Sequence, residues 1–229
     1  MVVLTAGGLD RIEQDGDEAV IESGATLASV CSMCAHRGLS GMEFAAGIPG
    51  TLGGALIMNA GANGGEMGDI TQWVDVVDLS GVVHRCQASE LDFSYRRSAL
   101  RDMDGAILRA SLKFVPGDPE SVHDDICEKM TLRCARQPVT MSSAGSIFKR
   151  PEGDYAGRLL EEAGAKGMCV GGAAVSDKHA NFLVNRGDAT ARDVLNLITR
   201  VRDMVFDKSG VMLEPEVCVV GEDTDNAAT

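Results

Sequence analysis

Between Gly41 and Gly68 the chain reads GMEFAAGIPGTLGGALIMNAGANGGEMG and holds nine of its 27 glycines. Glycine at that density excludes a long helix or an unbroken strand, because each one inside a regular element costs about 0.5–1 kcal/mol relative to alanine. What remains is a series of short elements joined by tight turns, with backbone amides able to approach a ligand closely. Asn59 adds a side chain that donates and accepts hydrogen bonds at once. Purely structural turns between a helix and a sheet are the other reading of the same residues.

The flanking sequence is more regular. Residues 1–5 and Ala19–Glu22 read as strands, and 26–36 as a helix ending near Gly38. Residues 73–79 and 82–86 predict a hairpin around Ser80-Gly81. Leu108, Ala110, Leu112 and Phe114 alternate with Ile107, Arg109, Ser111 and Lys113, the pattern of a half-buried strand. Pro116-Gly117-Asp118-Pro119 then breaks the chain, and a domain boundary is expected there. Beyond it, 121–136 reads as a helix stopped before Pro138, 154–163 as a short helix closed by Gly164, and 171–184 as two extended pieces. Residues 190–207 form the clearest helix, with Thr190 and Asp193 as reciprocal caps and Val194, Leu197, Ile198, Val201 and Val205 as its stripe. Residues 217–220 predict a final strand, and 221–229 an acidic tail. Helices and strands alternate without a strict βαβ repeat. The expected class is therefore α+β, and neither GxGxxG nor GxxxxGK[ST] occurs.

Charge narrows the partners. Asp and Glu total 34 against 21 Lys and Arg, a net charge of -13, which disfavours nucleic acid and anionic membrane as the main partner. Aromatic residues are only 4% of the chain, too few for base-stacking platforms. The first ten residues lack a secretory pattern and no apolar run reaches about 18 residues, so a cytoplasmic protein without membrane association is expected. Seven cysteines in such a chain read as reduced thiols. Cys31 and Cys34 fall on a helical apolar pattern and are expected in the core. The four histidines form no metal-binding spacing, so no metal is expected.

Four further segments could carry chemistry. Ser94-Tyr95-Arg96-Arg97-Ser98 gathers two guanidinium groups suited to a carboxylate or phosphate, or to surface ion pairs. Residues 142–151, SSAGSIFKRP, place hydroxyls in a small-residue turn before Lys149, without a GxSxG nucleophile pattern. A serine there could donate a proton to a strong carbon base, or the stretch could be a plain loop. Residues 171–185 offer Lys178, His179, Asn181 and Asn185, each a ligand contact or a structural hydrogen-bonding residue. Leu213-Glu214-Pro215-Glu216-Val217 places Glu216 at the start of an apolar stretch, where it reads as a cleft carboxylate or a strand-edge acid.

Taken in order, GLSGMEFAAGIPGTLGGALIMNAGANGGEMGD (38–69), SYRRS (94–98), SAGSIFKRP (143–151), GGAAVSDKHANFLVN (171–185) and LEPEV (213–217) resemble the UDP-N-acetylenolpyruvoylglucosamine reductases, the MurB family. The chain is similar to the shorter, type II form. The resemblance implies part of a PCMH or vanillyl-alcohol-oxidase-type FAD-binding domain at 1–117, followed by an α+β UDP-sugar substrate domain at 121–220. It implies FAD and NADPH as cofactors and UDP-N-acetylglucosamine enolpyruvate as substrate, reduced to UDP-N-acetylmuramate for peptidoglycan. Ser146 then falls on the proton donor, and Arg96 and Glu216 on the groups flanking the substrate carboxylate. Gly47, Ile48, Pro49, Gly53, Gly54, Asn59 and Ala60 fall in the flavin-contacting segment. Tyr95, Arg136, Lys149, His179 and Asn181 fall at substrate-binding positions. Cys218, Asn63 and Met141 depart from the family pattern and touch none of the three catalytic positions.

Members of the family carry an amino-terminal subdomain whose glycine- and serine-rich loop holds the flavin pyrophosphate. This chain is expected to begin after it, and to be a monomer when full length. A non-catalytic sugar-nucleotide-binding or regulatory protein is the alternative expectation.

Overall fold

The computed structural model describes residues 8–221, so the expected strand at 1–5 and nearly all of the tail lie outside the described residues. The chain divides into two compact units, Met1–Leu132 and Arg133–Thr229.

The first unit is built on a five-stranded antiparallel sheet. Its strands are β1 (Ile12–Asp15), β2 (Glu18–Glu22), β6 (Thr71–Asp78), β7 (Val83–Gln87) and β8 (Gly105–Lys113), in the order β1-β2-β8-β6-β7. The hairpin read around Ser80-Gly81 is β6–β7, paired from Trp73↔Gln87 to Val77↔Val83. Helix α1 (Leu27–Arg37) starts at Thr26, whose side chain accepts from the Ser29 amide, and turns Leu27, Val30, Cys31 and Cys34 inward. Burial holds the Cys31 and Cys34 thiols protonated, at about 11 and about 12.

Strand β8 departs from the simple alternation. Ile107 is buried and Leu108 only partly so, because the ladder to β6 shifts between Asp75↔Arg109 and Val76↔Ile107. Leu108 is the extra residue of that bulge, and it reverses which side chains face the core.

The glycine-dense stretch resolves into short pieces: β3 (Leu39–Ser40), α2 (Leu52–Ile57), β4 (Gly61–Ala62), β5 (Gly65–Glu66) and α3 (Met67–Ile70). β3 pairs with β9 (Val115–Pro116). β4 and β5 form a hairpin whose turn, Asn63-Gly64, has φ of 53° and 87°. Positive φ at both central residues is the type I′ turn that Asn-Gly favours. Helix α4 (Pro119–Arg136) follows, and the division between the two units falls inside it.

The second unit has a four-stranded antiparallel sheet: β10 (Ser143–Ser146), β11 (Cys169–Val170), β12 (Ala173–Val175) and β13 (Phe182–Asn185), in the order β10-β13-β12-β11. Helices α5 (Ala156–Glu162) and α6 (Ala191–Ser209) pack with it through Leu159, Leu160, Leu197, Val201 and Val205. The expected capping box opens α6: Asp193 N donates to Thr190 Oγ1 at 3.1 Å and Thr190 N to Asp193 Oδ2 at 2.9 Å. The expected strand at 217–220 does not form. Only an isolated bridge, Phe148↔Pro215, precedes it, and Val219 and Val220 are exposed.

Candidate functional site

In the first unit the glycine segment is stitched to the turn that follows β2. Leu27 N donates to Gly50 O, Leu52 N to Ala25 O and Gly53 N to Ser23 O, at 2.9–3.1 Å. A Cβ on Gly53 would lie 3.0 Å from Ser23 Cβ, so only glycine lets α2 come this close. Between α2 and the start of β8 lies a cavity of about 230 Å³, lined in part by Ser23, Thr51, Gly53, Gly54, Gly105 and Ile107. Ser23 is 1% exposed and its Oγ has no hydrogen-bond partner among the described residues. A half-open cavity with an orphaned hydroxyl and close backbone walls fits part of a flavin nucleotide. Of the expected cofactor residues, Gly53 and Gly54 line it, whereas Ile48 packs on the core and Pro49 is exposed.

Asn59 is engaged by backbone at both ends of its side chain. It is 1% exposed with φ of 42°, its Oδ1 accepts from Gly68 N at 2.9 Å, and its Nδ2 donates to Ser94 O at 3.1 Å. Both ends of the amide thus hold backbone. Ser98 Oγ lies 2.8 Å from Leu56 O and 3.0 Å from Ile57 O, at the end of α2. The SYRRS turn is therefore fixed at both ends to the glycine segment. Within it, Ser94 and Arg97 exchange backbone hydrogen bonds at 3.0 and 3.1 Å, which makes Arg96 the third residue of a tight turn with φ of 58°. A side chain other than Gly or Asn is strained there, and such strain is held in place only by its surroundings. The Arg96 guanidinium lies 5.1 Å from the Tyr95 ring centre and donates to Gly61 O at 3.4 Å.

The second unit gathers several expected residues around one peptide. Ser146 ends β10 opposite Phe182, and Ile147 N donates to Asn181 O at 2.9 Å. On the other flank Glu216 N donates to Ile147 O at 2.7 Å and Lys149 N to Glu214 O at 2.9 Å. Ile147, next to Ser146, is thus held from both sides, by Asn181 on one flank and Glu216 on the other. Lys149 Nζ reaches Glu214 Oε1 at 2.5 Å, a further tie on the Glu216 flank.

Asn181, 7% exposed, accepts from Phe148 N at 3.0 Å and donates to Phe148 O at 2.9 Å, so its side chain completes the ladder after Ser146. His179 Nδ1 accepts from Asn181 N at 3.2 Å, which leaves the ring proton on Nε2. Burial, aided by Lys166, keeps that imidazole below its usual pKa and favours the neutral ring. Arg136 is exposed at the end of α4. One turn earlier Arg133, absent from the expected site, is half-buried, and burial lowers its guanidinium pKa. That pKa is only partly restored by the neighbouring Cys134, and a partly desolvated cation is a signal for an anion that composition does not carry. Among the described residues no group of three or more His, Cys, Asp or Glu side chains could hold a metal ion, and no helix is long and apolar enough to cross a membrane.

Comparison with known proteins bears on both units. Residues 1–87 match an FAD binding domain, and residues 137–220 match the C-terminal domain of UDP-N-acetylenolpyruvoylglucosamine reductase. The reductase of that name from Caldanaerobacter subterraneus subsp. tengcongensis is 43% identical over 221 residues, 96% of this chain and 73% of the relative. The one from Rubrobacter xylanophilus is 47% identical over 223 residues, 97% of this chain and 74% of the relative. The crystal structure of UDP-N-acetylenolpyruvylglucosamine reductase (MurB) from Thermus caldophilus superposes with a TM-score of 0.78 at 37% identity, covering 89% of this chain and 73% of that one.

Proposed function

The chain belongs to the UDP-N-acetylenolpyruvoylglucosamine reductase family, and from that premise we propose that it reduces UDP-N-acetylglucosamine enolpyruvate to UDP-N-acetylmuramate with NADPH and FAD, in the cytoplasm, for peptidoglycan synthesis. Residues 1–117 serve the flavin and 121–220 the UDP-sugar. FAD, when bound, would supply the redox chemistry that carries reducing equivalents from NADPH to the enolpyruvyl double bond. The residues of the chain orient the substrate and manage charge and protons.

Ser146 gives the proton to the substrate carbon left electron-rich after reduction. Arg96 and Glu216 hold the substrate carboxylate, and the guanidinium counters negative charge as it grows there. Gly47, Ile48, Pro49, Gly53, Gly54 and Ala60 approach the flavin through their backbone. Asn59 serves it indirectly, by fixing the Arg96 turn. Tyr95, Lys149, His179 and Arg136 belong to the substrate side, with Arg133 beside Arg136 as a further anion contact. Asn181 acts there by holding the backbone after Ser146.

The observation that supports this reading is the backbone bond from Glu216 N to Ile147 O at 2.7 Å, which holds the residue after Ser146 against the segment that carries Glu216. The test is product analysis by mass spectrometry after incubation with FAD, NADPH and the enolpyruvyl sugar nucleotide. Formation of UDP-N-acetylmuramate, lost in Ser146→Ala while NADPH still reduces the flavin, is expected. Full product formation by Ser146→Ala would overturn the assignment of the proton donor.

A further inference from the structure

We propose that His179 is a positioning residue: through one ring nitrogen it holds the turn that braces Ser146, and it can do so only as the neutral imidazole. The proposal rests on the reductase function proposed for the chain and deepens it, by giving His179 a task that acts through Ser146.

The local geometry is a turn closed twice. His179 O accepts from Phe182 N at 3.0 Å, and His179 Nδ1 accepts from Asn181 N at 3.2 Å. The second bond runs from a side chain to the backbone two residues on, the connection that Asn and Asp make in an Asx turn. Everything the turn holds belongs to the Ser146 strand. Asn181 O accepts from Ile147 N, the Asn181 side chain bonds both N and O of Phe148, and Phe182 pairs with Ser146. The ring is fixed in its turn. It meets Phe182 edge-to-face, with centroids 5.0 Å apart at 67°. A Cβ on Gly157 of α5 would lie 3.1 Å from His179 Cε1, so glycine lets that helix close on the ring without displacing it.

Charge state decides whether the turn holds. An imidazolium carries a proton on both nitrogens and accepts no hydrogen bond. Protonation therefore replaces the bond from Asn181 N by two opposed N–H groups. Half-burial of the ring resists this, and so does Lys166, while Glu161 on α5 favours it. Lys166 and Glu161 pair with each other at 2.7 Å, which spends the carboxylate that could otherwise stabilise the cation. On the turn's own segment Asp177 pairs with Arg186 at 3.6 Å and Lys178 donates to Cys134 O at 2.8 Å. Strand β13 brings no ionisable side chain.

The test compares His179→Ala, His179→Asn and His179→Gln with wild type. The Asn Oδ1 takes the place of Nδ1, whereas the Gln side chain reaches the place of Nε2. Amide hydrogen exchange at Ile147 and Phe148 is followed by NMR in the ligand-free proteins. In the FAD-loaded proteins, flavin reduction by NADPH is measured separately from kcat and KM for the enolpyruvyl sugar nucleotide, across pH. His179→Ala is expected to speed exchange at both amides by about five- to tenfold, the scale of one neutral hydrogen bond. Its kcat is expected to fall by about tenfold, with KM and flavin reduction unchanged. His179→Asn should recover most of both losses and His179→Gln neither. Wild-type kcat should also drop as pH falls through the imidazole pKa, on the acid side of the ordinary 6.5, in a step that His179→Asn lacks.

Recovery by Gln and not by Asn gives His179 to the substrate through its far nitrogen and overturns the proposal. Unchanged exchange at Ile147 and Phe148 in His179→Ala overturns it, as does an acid step that persists in His179→Asn. Each of these leaves the reductase function standing. If His179→Ala does not fold, the contrast between Asn and Gln decides alone. A wild type that makes no product overturns the reductase function and, with it, the part given to His179.

Discussion

The Asn59 side chain donates to the Ser94 carbonyl at 3.1 Å across 35 residues of chain, and so ties the glycine-rich segment to the turn that presents Arg96. The same amide accepts from Gly68 N, so one side chain fixes three stretches of backbone. Pre-positioning of this kind is what a site needs if its guanidinium is to meet charge without rearranging.

Asn59→Ala should therefore destabilise the protein by about 2–4 kcal/mol. It leaves a donor and an acceptor without partners and puts a less tolerant residue at positive φ. Urea denaturation measures this. A loss under about 1 kcal/mol would mean that the two bonds are replaced by water.

Arg96→Gly should separate stability from activity. Glycine relieves the strain of φ 58°, so the unfolding midpoint should hold or rise, by up to about 1 kcal/mol. Turnover should fall by about 10²–10³, the scale of a lost charge-stabilising group. Arg96→Lys keeps the charge but loses the planar fork, and should fall between the two.

Asp75 makes the first unit sensitive to acid. Its buried carboxylate accepts from Arg85 at 2.8 and 2.9 Å and from Arg109 at 2.9 Å. Hydrogen bonding from Arg85, with Arg109 behind it, holds its pKa below the ordinary 3.8. A folded-state pKa below the unfolded one contributes stability that is complete above the unfolded value and is lost as pH falls through the folded value. The stability difference between wild type and Asp75→Asn should thus be constant above about pH 5 and shrink below about pH 4. Urea midpoints for both proteins across pH 3–7 measure it, and a pH-independent difference would contradict the cause given.

Asn181 is predicted to act through the backbone that carries Ser146. Asn181→Ala should destabilise the second unit by about 2–3 kcal/mol, since Phe148 N and O both lose a buried partner. Asn181→Asp keeps the acceptor for Phe148 N but turns a carboxylate toward Phe148 O, and should be no better. A neutral outcome for both would show that the ladder needs no help from this side chain.

Local signals carried the sequence reading far. The periodicity and caps of α1 and α6, and the β6–β7 hairpin, depend on residues within a few positions of one another. The bulge at Leu108 was hidden because its cause is the register of β6, some thirty residues earlier, and so Ile107 and Leu108 exchange their expected sides. Asn59 and Asn181 look like ligand contacts by type, and their side chains also hold backbone 35 and 33 residues away. Residues 217–220 are apolar enough for a strand, yet Val219 and Val220 stay exposed and no strand forms there. Asn63-Gly64 is the opposite case: the hairpin signal was local and present in the sequence. Ser23 offered no signal, since a serine after a strand is ordinary, and only the structure shows it buried beside a cavity.

The central claim is that this chain binds flavin and passes reducing equivalents to an enolpyruvyl sugar nucleotide. The most direct measurement follows flavin absorbance under anaerobic conditions, after FAD loading and desalting, as NADPH and then UDP-N-acetylglucosamine enolpyruvate are added. Retained flavin, bleaching on the first addition and recovery on the second are predicted. Retained flavin that bleaches and does not recover, or flavin lost entirely on desalting, would contradict the claim.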